Sequence, residues 1–355
     1  MLLRDSYAVV DLKRLKNNIE KVHARFNRPL MAVIKADAYG HGFKEVALYI
    51  HQLEYLEMFA VATLEEALEL RELNIKKGIL VLGAVPTRRA QIELAIENDI
   101  SLALVSLDYY YLIKSFKLDR PVKVHVKLDT GMGRIGLQNE EQLKELLDDI
   151  NPGQFEVEGV FTHFATADGD EAEYKKQLEK YYRMTKGMKF KYMHCNNSAG
   201  MFYHDEQVSN LGRIGITMYG LDPAGEHRGE FEQVMSLYSN VVMVKKIPKG
   251  SKVGYGMTYT AKSDEYIATI PLGYADGFIR KNQGREVYIK GKYYQIVGRV
   301  CMDQCMIKVD ESVKVGDQVE IFGDHISLDS MAKELDTISY EIICLIKRIP
   351  IIYKK

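Results

Sequence analysis

Residues 30–42 read LMAVIKADAYGHG: a short apolar run, an amine at its end, then a turn carrying two glycines. The run is too short for a buried helix and has the apolar character of a strand covered on both faces. Seven further runs repeat the unit: FAVAT (59–63), ILVLGA (79–84), SLALVS (101–106), VKVHVKLD (122–129), VEGVFTHF (157–164), FKYMHC (190–195) and RIGITMYG (213–220). Between them lie helical periods such as LEEALELREL (64–73) and EYKKQLEKYYRM (173–184). Eight buried strands alternating with helices over about 220 residues predict an α/β chain built on an N-terminal (β/α)8 TIM-like barrel, whose active site belongs at the C-terminal ends of the strands. A doubly wound sheet is the competing arrangement. It is weakened because the first strand is not followed by the GxGxxG turn that lets a dinucleotide approach the backbone.

Past about residue 230 the helical rhythm stops. SNVVMVKKIPKG, EYIATIPLGYADG, REVYIKGKYYQIVGRVCMDQCMIKVD and VKVGDQVEIFG read as strands cut by Gly, Pro and charged turns. The division expected is a barrel over 1–230 and a mostly β-strand domain over 231–355, with the boundary inside AGEHRGEFEQ (224–233). One late helix is expected over 328–336, capped by Ser327.

Lys and Arg number 48 against 49 Asp and Glu, so no net field draws the chain to nucleic acid or an anionic membrane. Small molecules and other subunits are the partners that remain. No run is apolar for long enough to span a bilayer, and the charged start MLLRDSYAVVDLKR does not read as a signal peptide, so a cytoplasmic location is expected. Four scattered cysteines make neither a disulfide framework nor a short ligand repeat; Cys301 and Cys305 read as packing residues, and no metal is expected.

On the barrel reading, charged groups fall where strands end: Lys35, Lys127 and Asp129, His163, His194, and Arg213 opening the eighth. Charges in apolar strands are costly unless matched, so basic groups from five strands aimed at one mouth suggest an anion, a phosphate above all. The loops after strands seven and eight offer Asn196, Asn197, Ser198, Gly212 and Gly215 for it. Lys35 can act as a Schiff-base amine once burial disfavours its cation; it can equally snorkel to solvent or pair with Asp37. Tyr255, between two glycines in KVGYGMTYTA, can project into a cavity or another chain. In a sequence of 23 tyrosines it can as well be a packing residue, and the same holds for Tyr274, His163 and His194.

Taken together, AVIKADAYGHG (32–42), VKLDTGMGRIG (126–136), FTHFATAD (161–168), HCNNSAG (194–200), RIGITMYGLDP (213–223), GYGMTYTA (254–261), IPLGYADG (270–277) and GRVCMDQCMI (298–307) resemble the alanine racemases, fold-type III pyridoxal-phosphate-dependent enzymes, in order and across nearly the whole chain. The resemblance implies a pyridoxal 5'-phosphate barrel, a β domain and a head-to-tail homodimer with shared active sites. Lys35 would carry the cofactor, with Tyr39, Ser198, Gly215 and Ile216 at its phosphate, Arg213 at the pyridine nitrogen, and His163, His194 and Asn197 around it. Arg134 and the backbone of Met302 would hold the substrate carboxylate, Lys127 would be carbamylated to orient Arg134, and Asp303 and Tyr274 would complete the surroundings. Lys35 and the partner's Tyr255 would be the two bases that interconvert L- and D-alanine, supplying D-alanine for peptidoglycan. One position departs from the pattern: Lys347 in KRIP stands where a phosphate-contacting tyrosine is common, which leaves serine open as a substrate. A pyridoxal-phosphate carrier and a barrel decarboxylase are the other readings.

Overall fold

The computed structural model describes residues 3–84, 88–204, 208–224 and 230–355. Residues 225–229 of the expected boundary lie outside the described residues. After β1 (Tyr7–Asp11) come eight parallel strands: β2 (Leu30–Val33), β3 (Leu56–Val61), β4 (Gly78–Val81), β5 (Ser101–Leu104), β6 (Val122–Lys127), β7 (Phe155–Phe161), β8 (Tyr192–His194) and β9 (Gly212–Ile214). Each falls within or beside one of the eight runs read from sequence. Their order is β8-β7-β6-β5-β4-β3-β2-β9. No ladder joins β8 to β9, but Arg213 N–H donates to Asn196 O (3.0 Å) and Asn210 N–H to Met193 O (2.9 Å), so the barrel is nearly closed. β2 and β5 are buried at every position, the reason they read as unbroken apolar runs. The eighth run stops pairing early: Ile216–Tyr219 is a 3₁₀ turn ended by Gly220 at φ 81°.

The second sheet holds β10 (Met235–Asn240), β11 (Met243–Ile247), β14 (Glu265–Ile270), β15 (Glu286–Ile289), β16 (Lys292–Val297), β17 (Cys305–Val309), β18 (Gln318–Phe322) and β19 (Ile351–Lys354), while β12 (Lys252–Val253) and β13 (Tyr259–Thr260) form a separate hairpin. β1 lies in this sheet too, antiparallel to β10 and parallel to β19, so the chain starts in the second sheet and crosses to the barrel through the helix Leu12–Phe26. One continuous apolar core runs through both units. The late helix is Leu328–Leu335, with Ser327 Oγ accepting from Ser330 N–H at 3.1 Å. A second helix, Ser339–Leu345, lies against the turn after β2. The approach is so close that a Cβ on Gly40 would stand 2.4 Å from Ile343 O.

Candidate active site

The turn after β2 is made of four consecutive residues in the left-handed region, Ala36, Asp37, Ala38 and Tyr39, with φ from 52° to 55°. Left-handed backbone costs L-residues roughly 1–2 kcal/mol each, so the turn needs external support. Glu66 supplies part of it, one oxygen accepting from Ala36 N–H (2.7 Å) and the other from Ala62 N–H (2.7 Å). Asp37 accepts from Phe43 N–H (2.8 Å). His41, buried and stacked on Tyr219, sets its Nδ1 3.0 Å from Ala38 O. Burial lowers its pKa to about 4, so the ring is neutral and donates that N–H. His41 thus braces the turn and does not reach the cavity. The turn's product is geometric: it points Lys35 and Tyr39 into the same space.

That space is a cavity of about 360 Å³ at the C-terminal mouth of the barrel, bordered by Lys35, Tyr39, Lys127, Arg134, His163, Asn197, Ser198, Arg213, Gly215 and Ile216. Basic groups from separate strands therefore do meet, and they repel one another. Burial, then the charge of Arg134, lowers the pKa of Lys35 and favours a free amine. Lys127, 2% exposed, donates to Leu128 O (2.7 Å) above the Phe161 ring; burial and the charge of Arg213 bring its pKa to about 7. His163 is held well below its ordinary pKa by burial and the same guanidinium.

Arg213 is itself buried, with its pKa lowered to about 10 by desolvation. Its guanidinium donates to His194 O, Thr162 O (2.8 Å) and Cys195 O (3.3 Å), and to His194 Nδ1 (3.0 Å) and His163 Nδ1 (3.4 Å). Arg has only donors, so both Nδ1 atoms must accept, which leaves the proton of His163 on Nε2. His194 does not border the cavity; it stands behind Arg213 and fixes it.

The strand-eight turn forms a small cradle. Ser198 Oγ accepts from Gly215 N–H (3.0 Å), and a Cβ added to Gly215 would lie 3.2 Å from the Tyr39 hydroxyl and 3.8 Å from Ser198 Oγ. Glycine thus leaves open a gap between two hydroxyls, in a cavity also bordered by Arg134 and Arg213. Burial raises the Tyr39 pKa, keeping its hydroxyl a donor. Two hydroxyls, backbone N–H groups and surrounding positive charge are a donor set suited to a phosphate, and a nearby free amine is what an aldehyde cofactor needs.

Tyr255 is elsewhere. It is 72% exposed and borders a separate surface pocket of about 610 Å³ with Tyr274, Arg280 and Arg299. Met302, 54% exposed, lies beside the Tyr274 turn, with Tyr274 N–H→Cys301 O (3.0 Å) and Ala275 N–H→Met302 O (3.0 Å), and Asp303 pairs with Arg348 (3.1 Å). Within one chain, then, the cavity group and the Tyr255 group form two clusters. Lys347 is exposed and does not border the cavity. The second domain instead brings Tyr340 and Cys344 to it on the Ser339–Leu345 helix, and Leu82, Ile135, Asp168 and Pro223 also border it. Asp168 ends the quoted FTHFATAD. Tyr340 and Cys344 carry no motif, and only the packing of Ile343 on Gly40 reveals them.

The model of the alanine racemase N-terminal domain matches residues 10–223 and that of the C-terminal domain residues 234–353. An alanine racemase of Lactococcus lactis subsp. cremoris is 41% identical over 366 residues, spanning 99% of this chain and 98% of that protein, and one of Streptococcus pyogenes is 40% identical over 364. The crystal structure of alanine racemase from E. faecalis superposes with a TM-score of 0.94 at 36% identity, covering 99% of this chain and 98% of that one. That of the Bacillus anthracis alanine racemase with bound L-Ala-P gives 0.92 at 38%, covering 100% and 96%. A histidine racemase from Leuconostoc mesenteroides gives 0.91 at 28%, covering 100% and 99%.

Proposed function

Because this chain belongs to the alanine racemase family of isomerases, we propose that it interconverts L- and D-alanine with pyridoxal 5'-phosphate, using Lys35 and the Tyr255 of a second copy as its two bases. The observation that carries the proposal is the meeting of a lysine whose pKa burial lowers, four further basic side chains and a two-hydroxyl cradle around one cavity of about 360 Å³. When bound, the cofactor supplies a carbonyl for the amino group and delocalises the charge left on Cα.

The residues divide the remaining work. Tyr39, Ser198, Gly215 and Ile216 bind the phosphate, Asn197 lies beside it, and Arg213, braced by His194, stands at the ring nitrogen. With no proton to give up, Arg213 leaves that nitrogen unprotonated, which disfavours side reactions needing a stronger electron sink. Arg134 and the Met302 backbone hold the substrate carboxylate; Lys127, as its carbamate, orients Arg134, with Tyr274 and Asp303 around them. Racemisation needs a proton taken from one side of Cα and returned on the other, so two bases are required. Lys35 serves one side. Tyr255 serves the other from the second copy, where the Nε2–H of His163 faces its phenol; a phenol ordinarily near 10 needs about 4 kcal/mol of such help to work near neutrality. The exposure of Tyr255, Tyr274 and Met302 within one chain supports a head-to-tail homodimer. A division of the chain near residue 230 is supported by the barrel strands β2–β9 all preceding it and the second-sheet strands, β1 excepted, all following it. A cytoplasmic site of action and a supply of D-alanine for peptidoglycan belong to the same reading; among the described residues no helix is long and apolar enough to cross a membrane.

The test is a racemisation assay with cofactor-loaded protein across alanine, serine and larger amino acids, including histidine. Turnover of alanine above the rest is expected; turnover confined to a basic amino acid would overturn the substrate. Borohydride trapping should place the pyridoxyl group on Lys35. Mixing inactive Lys35→Ala and Tyr255→Phe chains should restore about a quarter of the wild-type sites, since each mixed dimer has one intact pair. No recovery from chains shown to exchange would rule out shared sites.

A further inference from the structure

Behind Arg213 the barrel interior contains a polar chain that does not border the cavity. From Arg213 on β9 hydrogen bonds run to His194 on β8 (Nη1 to Nδ1, 3.0 Å) and from His194 Nε2 to His125 Nδ1 on β6 (2.8 Å); His125 Nε2 has no hydrogen-bond partner among the described residues and stands 3.8 Å from Glu158 Oε2 on β7, an ion-pair separation. Ser101 on β5 donates to the same carboxylate oxygen (2.6 Å), and Lys191 Nζ lies 3.9 Å from the other. Both histidines are fully buried and Glu158 nearly so. An apolar filling would occupy this space at lower cost, because buried ionic groups rarely repay their desolvation.

The backbone is shaped to build the chain. Val124 pairs with Val157 and His125 with Gly159, so Glu158 is the unmatched residue of a bulge, the device that re-aims a side chain. Gly159 makes room for the imidazole: a Cβ there would lie 2.6 Å from His125 Nδ1.

Hydrogen-bond chemistry allows one arrangement of protons. Arg213 can only donate, so His194 Nδ1 accepts and the proton of the neutral ring sits on Nε2. That N–H points at His125 Nδ1, which therefore accepts, placing the His125 proton on Nε2 toward Glu158. Desolvation and the charge of Arg213 oppose a proton on either second nitrogen. The guanidinium sets this arrangement from one end, and the Glu158 anion beside His125 Nε2 favours the same arrangement from the other.

We propose that Glu158 is a positioning residue for the reaction, fixing through His125 and His194 the tautomers that turn an acceptor toward the Arg213 guanidinium. The proposal rests on the reading above in one respect, that Arg213 faces the bound ring. A glutamine at 158 can present its amide N–H₂ to His125, reverse both imidazoles, and set an N–H of His194 against the N–H of Arg213. An aspartate keeps the accepting anion.

The test joins kinetics to a direct view of the protons. In cofactor-loaded protein labelled with ¹⁵N-histidine, His125 and His194 should both be neutral with the proton on Nε2, unchanged from pH 7 to 9. Glu158→Gln should lower kcat roughly 10- to 100-fold, the effect of losing the charge-assisted Arg213–His194 hydrogen bond, with KM for alanine within about twofold and a shifted cofactor absorbance. Glu158→Asp should recover most of kcat. A proton on His194 Nδ1, a charged His125, or a Glu158→Gln enzyme with wild-type kcat would each overturn the proposal. Should Glu158→Gln fail to fold, the wild-type tautomers decide alone. They can be read whether or not alanine is the substrate, so this outcome is separate from that of the racemisation assay.

Discussion

Replacing Lys127 by Met tests the electrostatics of the cavity at a deeply buried amine. Met fills nearly the same space without charge. The fall of the Lys127 pKa from 10.5 to about 7 means that the folded protein disfavours the ammonium by roughly 4–5 kcal/mol. Below pH 7 the amine is protonated in both folded and unfolded states, and the full cost falls on the fold. Between pH 7 and 10.5 the folded state releases the proton while the unfolded state keeps it, so stability rises by about 1.4 kcal/mol per pH unit, and above 10.5 the cost is gone. In bicarbonate-free buffer Lys127→Met should therefore melt several degrees above wild type at pH 6.5, and the gap should shrink by pH 9.5. Comparing the two proteins at each pH cancels the other titrating groups. A gap independent of pH would refute the reasoning, because no buried amine would be changing state. The same equilibrium leaves about half of the Lys127 amines unprotonated at pH 7, against fewer than about one in 10³ for an ordinary lysine. Adding ¹³C-bicarbonate should therefore give a carbamate resonance in wild type that is missing from Lys127→Met.

Tyr255→Phe should reduce racemisation at least ~10²-fold in both directions, the scale of a lost proton-transfer group, with unchanged cofactor absorbance; full rate either way would end its role as a base. Ala36→Gly should raise stability by about 0.5–1 kcal/mol in thermal or urea unfolding, the reverse of the usual cost of glycine, because the residue is exposed at φ 53°. A loss would mean the turn is not left-handed. Gly40→Ala should lower Tm markedly and weaken cofactor retention together, since its Cβ would press on Ile343 O and lift the helix that carries Tyr340 and Cys344. Cofactor held as tightly as in wild type would uncouple that helix from the site.

The eight barrel strands were legible because a parallel strand buried on both faces is apolar throughout, and that signal is local. The C-terminal β character was legible from turns and alternation. The site was legible as residue types at strand ends: Lys35, Lys127, His163 and Arg213 all border one cavity. His194 was assigned to the cavity surroundings and stands one layer back, because facing the cavity or the neighbouring strand is a matter of register. Nothing in residues 7–11 announced that β1 would pair with β10 and β19. Nothing local marks His125 and Glu158, since the bulge that turns Glu158 inward exists only once β6 and β7 are paired.

By itself, then, the sequence determined the strand rhythm, the two-part architecture and the kinds of groups available for chemistry, all properties carried by neighbours along the chain. Only the tertiary structure decided which groups share a desolvated space. The acidity of Lys35, Lys127 and His163, the acceptors that saturate Arg213, and the separation of Tyr255 from all of them depend on distances between strands far apart in sequence. Coulomb interactions and desolvation act through space, and the order of residues alone does not contain them.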